Sequence, residues 1–225
     1  MAIGQLSMPS AAWSWMSVEL SSPGRRHTAS GESKRRLLVS RAAELFDEEG
    51  YHSTSVEDVA EACDIRKPTL YHYFKSKDEL LYAIHDEFID LLIEQERERV
   101  KLELSASQAL LEVVVDFMEL LATHRGHVRV FLEHYRELAE ESKVAIKNKR
   151  DLYEDSVRAI FERGAAAGEF REIDPRMCML AFAGMCNWAY HWYDPAGPLS
   201  GRQVAFTFWD LFVRGLQDPL ARPPD

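Results

Sequence analysis

The chain has no uninterrupted run of about eighteen apolar residues, so it offers no membrane-spanning helix. Its first thirty residues lack the charged start and apolar stretch of a secretion signal, so a cytoplasmic protein without a membrane partner is expected. Cysteine is scarce: Cys63, Cys178 and Cys186 are odd in number, widely spaced and outside any CxxC pair. They are expected as small core residues rather than as a disulfide framework. The patterns GxSxG, HExxH and GxGxxG and the phosphate-binding P-loop are all missing. An enzyme therefore has no catalytic signature to rest on, and no cofactor is expected. Strand-like alternation is missing as well, which points to an all-α protein.

Positive charge is also short, with a formal net charge of −10, which at first argues against nucleic acid. Its distribution changes that reading. From Ser33 to Arg41 the chain carries Lys34, Arg35, Arg36 and Arg41 with no acid, and from Ile65 to Lys77 it carries Arg66, Lys67, Lys75 and Lys77, again with no acid. The acids gather at Asp47 to Glu49, Glu94 to Glu103 and Glu137 to Glu141, where a solvated helix face is the expectation.

With 225 residues, 46% of them hydrophobic, the chain can build one large or two small cores. Residues 1–30 mix Ser, Pro and Gly with the isolated Trp13 and Trp15 and show no period, so they are expected as a flexible tail, with Met16 an alternative start. A first helix is predicted over 32–49, with Leu38, Ala42 and Leu45 on one face and Gly50 as its stop. Thr54 and Glu57 read as a capping box opening a short second helix over 55–62. A third runs from Arg66 to Tyr73 with Pro68 in its first turn and Leu70, Tyr73 and Phe74 facing inward. Ser76 caps a fourth. Beyond residue 105, Ser105 with Gln108, Asp174-Pro175 and Ser200 with Gln203 open further helices, the last two over roughly 175–193 and 201–216, for about nine in all.

Two short helices around a tight turn describe a helix-turn-helix. The words sharpen it: Thr54 through Leu81, and above all Leu70-Tyr71-His72-Tyr73-Phe74 followed by Lys75 and Lys77, closely resembles the signature of the TetR family of transcriptional regulators over about residues 33–84. The resemblance implies a helix-turn-helix domain over 31–78, a helical effector-binding and dimerisation domain over 79–217, and a tail over 218–225. The third helix must present its start and outer face to the major groove, so Arg66, Lys67, Pro68, Thr69 and Tyr71, with His72 one step round, are the candidate DNA-contacting residues. As at matching positions of the family, Tyr71, His72 and Lys77 are expected on phosphate. Thr54 and the free amides of the second helix offer a further phosphate site, and Lys34, Arg35 and Arg36 a backbone or minor-groove arm.

One such unit reads too little DNA alone, so a homodimer is expected, with Phe182, Phe206, Trp209 and Phe212 of the last two helices at its interface. The wording Gly184 to Tyr193 and Arg163 to Phe170 is similar to the branch of the family that answers acyl-CoA thioesters. That resemblance implies a small-molecule effector lined by Phe131, Met185, Trp188 and Trp192. A metal site built on His124, His127 and His134 is not expected, because no Cys or carboxylate completes the set; a wet surface of His and Glu is. Three readings stay open: a repressor released from operator DNA by an acyl-CoA, an efflux regulator answering diverse lipophilic compounds, and a helical acyl-thioester-binding enzyme or carrier.

Overall fold

In the computed structural model, which describes the backbone of residues 26–217 and the side chains from residue 31, nine α-helices and no strand occur among the described residues. Trp13, Trp15, Met16 and the 218–225 tail lie outside them.

The first described helix, α1 (Arg26–Leu45), ends in one wider turn over Phe46–Gly50. Residues 26–30, expected as tail, belong to this helix. Apolar periodicity is needed to bury a helix, not to extend one already nucleated, so the pattern could not mark this start. Gly50 ends the element at φ +89°, a conformation that glycine enters without a Cβ clash. Two units are distinguished along the chain. The first, up to Arg35, contributes only the opening of α1, where Lys34 and Arg35 are exposed. The second begins at Arg36, itself exposed, and carries everything below.

In that second unit α2 (Val56–Ala62) and α3 (Lys67–Tyr73) pack against each other, and α4 (Lys77–Val100) follows directly. The remaining helices are α5 (Ala106–Thr123), α6 (Arg125–Glu133), α7 (Glu140–Ala166), α8 (Pro175–Trp188) and α9 (Gly201–Gln217). α5 lies along α9, α4 along α6 and α7, and α7 along α8. Local signals explain most starts. Ser76 accepts the Glu79 amide at 3.1 Å, Ser105 and Gln108 cap each other, and the Asp174 carboxylate accepts the amides of Arg176 and Met177 ahead of Pro175. The final stretch differs from expectation: α8 stops at Trp188 and a single 3-10 turn, Ala189–His191, replaces its last part. Leu38, Phe46, Leu70, Phe74, Leu81, Phe88, Leu110, Phe161 and Phe182 are buried in one continuous core, and α4 is already under way at residue 78.

Candidate nucleic-acid interface

The reader is built around the turn from α2 to α3. The Cys63 amide donates to Val59, the Asp64 amide to Glu61 and the Ile65 amide to Ala60 (3.1, 3.0 and 3.0 Å), while Asp64 takes the left-handed φ of +51° that a short polar side chain tolerates. Leu70 and Phe74 anchor α3 inward, with Tyr73 half-buried. The opposite face is left to solvent: Arg66, Lys67, Pro68 and His72 are exposed, Tyr71 is 39% exposed and Thr69 half-buried. A seven-residue rod with one apolar edge in the core and one cationic and aromatic edge outside has the dimensions and chemistry to lie in a major groove.

Not every cation on it is free. Lys67 pairs with Glu57 of α2, and its ammonium stands 5.6 Å from the Tyr71 ring, so the pair pushes the lysine pKa up and the carboxyl pKa down. Any incoming anion must compete with Glu57 for it. Lys77 is half-buried, its ammonium 4.1 Å from the Tyr51 ring centroid, and burial lowers its pKa.

Thr54 corrects the sequence reading. It is 1% exposed, its hydroxyl donates to the Gly50 carbonyl at 3.0 Å, and the cap of α2 is Ser55, boxed with Asp58 instead of Thr54 with Glu57. Two adjacent hydroxyl residues, each with an acid three positions on, present the same pattern; packing against Leu45 and Gly50 consumed the first. Thr54 is therefore not available to a phosphate.

The other half brings further corrections. Trp188 is 63% and Trp192 47% exposed, whereas Phe131 is buried against Phe88 and His85 and Met185 is half-buried, so the four do not line one enclosed chamber. Phe182, expected between two chains, is fully buried between Phe161 and Phe212 at centroid distances of 5.9 and 5.3 Å. Trp209 is half-buried and donates its indole N–H to Ser107 at 2.7 Å, tying α9 to the start of α5, while Phe206 stays exposed. An all-round apolar helix says that its faces are covered, not which partner covers them. His127, expected on a wet surface, is 2% exposed; burial and the neighbouring His124 push its pKa down to about 4. The described residues hold no set of three or more ligating side chains placed for a metal.

Sequence reasoning missed two features. Glu96 and Arg99, taken as part of a solvated acidic face, are buried, and the half-buried Asp116 of α5 pairs with the same guanidinium. The only sequence signal was their i, i+3 spacing, which a surface pair shares. The second is the seam joining the reader to the helices beyond. There Arg129 of α6 pairs with Asp47 at 2.6 Å and Glu137 stands 3.7 Å from His52. Gly126 lets α6 close on α1, where a Cβ would sit 2.7 Å from the Ala43 carbonyl oxygen. No helix among the described residues is long and apolar enough to cross a membrane.

A helix-turn-helix with an exposed cationic reading helix, continuous with a larger all-helical body, defines a DNA-binding regulator of transcription. The comparisons agree. Residues 38–84 match the model for bacterial regulatory proteins of the tetR family, and residues 103–216 match the tetracyclin repressor-like C-terminal domain. The HTH-type transcriptional repressor KstR2 of Rhodococcus jostii is 29% identical over 193 residues, 84% of this chain and 95% of that protein. The crystal structure of the TetR family regulator PfmR from Thermus thermophilus is 33% identical with a TM-score of 0.74, covering 80% of this chain and 99% of that one. AibR, solved in complex with isovaleryl coenzyme A and operator DNA, is 28% identical with a TM-score of 0.71 over 83% and 100% of the two chains. The chain belongs to the TetR family, and its relatives are regulators of transcription rather than enzymes.

Proposed function

We propose that this chain is a homodimeric, cytoplasmic repressor that leaves its operator when an acyl-CoA thioester binds its helical domain. The observation that carries the reading is the outward face of α3, where Arg66, Lys67, Pro68, Tyr71 and His72 are all exposed while Leu70 beneath them is fully buried. Residues 31–78 serve as the DNA-binding domain and 79–217 as the effector and dimer domain. Arg66 reads a base edge, Tyr71 and His72 grip phosphate, and Lys34, Arg35 and Arg36 lend charge to the backbone.

Dimerisation sets the distance between two reading helices. The apolar residues that α8 and α9 leave exposed, Met177, Leu180, Trp188, Phe206 and Leu211, supply the surface for it. The thioester reading draws support from the AibR complex with isovaleryl coenzyme A and from similarity to KstR2. An effector acts only through differential affinity for the gripping and released states. The Asp47–Arg129 and His52–Glu137 contacts are where a shift of α6 would reach the reader.

The test is a gel shift with the DNA upstream of the gene, titrated with acyl-CoAs and, separately, with lipophilic drugs. Release by acyl-CoAs alone supports the reading; release by drugs alone makes the protein an efflux-type regulator; salt-independent or absent DNA binding overturns it. Arg66→Ala is expected to weaken operator binding by about 1–3 kcal/mol and relax specificity at one base pair. Trp188→Ala is expected to shift sedimentation toward monomer and, with it, to lose the operator.

A further inference from the structure

Lys67 and Lys77 stand at either end of the reading helix, and they are held in different ways. Lys67 is paired with Glu57, so its charge is already answered in the free protein. Lys77, the first residue of α4, is half-buried against two aromatic rings, its ammonium 4.1 Å from the Tyr51 ring centroid and 5.8 Å from that of Phe46. Asp78 and Asp58 act on it through space, without a hydrogen bond to either. A carboxylate would cancel the charge that a phosphate has to meet, whereas an aromatic face holds an ammonium in place and leaves its charge standing.

The holder is itself fixed. Tyr51 is 6% exposed and its hydroxyl donates to Asp78 at 3.1 Å. Phe46 meets the ring at 87° with the centroids 5.1 Å apart, and His134, just past α6, lies 5.6 Å away. A ring enclosed in this way has little room to turn, so the ammonium on its face is held to one place. Ordering a long, flexible side chain before DNA arrives removes a cost that binding would otherwise carry.

We propose that Tyr51 is a positioning residue for the operator grip, its ring face setting the Lys77 ammonium toward a phosphate of the DNA backbone. A residue that does not touch DNA thereby fixes part of the affinity. Because a phosphate carries no sequence, Tyr51 governs the strength of the grip and not the choice of base. The inference rests on the reading of the chain as an operator-binding regulator, and it adds the device that aims one of its cations.

The test changes the charge on the ring while nearly keeping its shape. In the full chain, residue 51 is replaced by phenylalanine and by mono-, di- and trifluorinated phenylalanines, each with Lys77 and with Lys77→Met. Binding to duplex DNA from upstream of the gene is followed by fluorescence anisotropy over a range of salt. Fluorine drains the negative face of the ring, so affinity is expected to fall stepwise from Tyr51→Phe, by about three- to tenfold over the series, and to stay flat in Lys77→Met. Lys77→Met alone is expected to lower the salt slope by about one. A series flat in both backgrounds, an equal fall in both, or a parental salt slope in Lys77→Met overturns the proposal, while DNA binding by the parent keeps the regulator reading. If the parent itself binds no DNA, that reading falls and takes the proposal with it.

Discussion

The two ends of the stretch from α3 to α4 use arginine and lysine in opposite ways. On α3 the cations are exposed, and Lys67 has a single surface acid, Glu57, to let go of before it can meet a phosphate. At the far end of α4, Arg99 is buried and holds two acids at once. Exposed charge is cheap to keep, screened by salt and exchangeable, as a grip on a polyanion must be. Buried charge is costly to desolvate and tolerates only partners of the right geometry. An acidic chain with a net charge of −10 can thus still present cations to DNA, because those on α3 stay at the surface, where a partner such as Glu57 is exchangeable.

Arg99→Ala would break this comparison at its stronger side. It strands Glu96 and Asp116 without a counter-charge, and a loss of about 3–5 kcal/mol is expected in urea unfolding. An unchanged midpoint would mean that the cluster is wetter than its burial implies.

Acid sharpens the contrast next. His85 and His127 are both buried and both held near pKa 4 against an ordinary 6.5, chiefly by desolvation. Between those values the unfolded chain binds protons that the folded chain refuses. Stability is therefore complete above pH 6.5 and drains away as pH falls toward 4, by up to roughly 3 kcal/mol for each imidazole. Thermal midpoints measured across that window should fall steeply, and less steeply in His127→Gln; a flat profile would show that neither ring is buried in solution.

The smallest effect is expected at Lys67→Ala. The thermal midpoint should stay put, while operator affinity weakens alike on all sequences and the salt slope falls by about one. A slope that does not move would mean Lys67 never leaves Glu57.

How much was legible in the sequence follows from which residues answer to one helix alone. Ser76, Ser105, Asp174 and Gly50 punctuate helices through their own backbone, and each is where its chemistry placed it. Leu70 and Phe74 fix the inward edge of α3 by spacing, so the exposed outward edge followed. Thr54 and Ser55 were interchangeable to a capping rule, and only the packing of Thr54 onto Gly50 chose between them.

The sequence by itself determined the order of helices, their limits to within a turn or so for most, and the basic edge of the reader, because these depend on contacts within about four residues of the chain. Tertiary structure alone decided that Glu96, Arg99 and His127 go inside while Trp188 and Trp192 stay out. Burial is set by whichever helix arrives from a hundred residues away, as α9 does when Trp209 reaches Ser107, and no periodicity within one helix records that arrival.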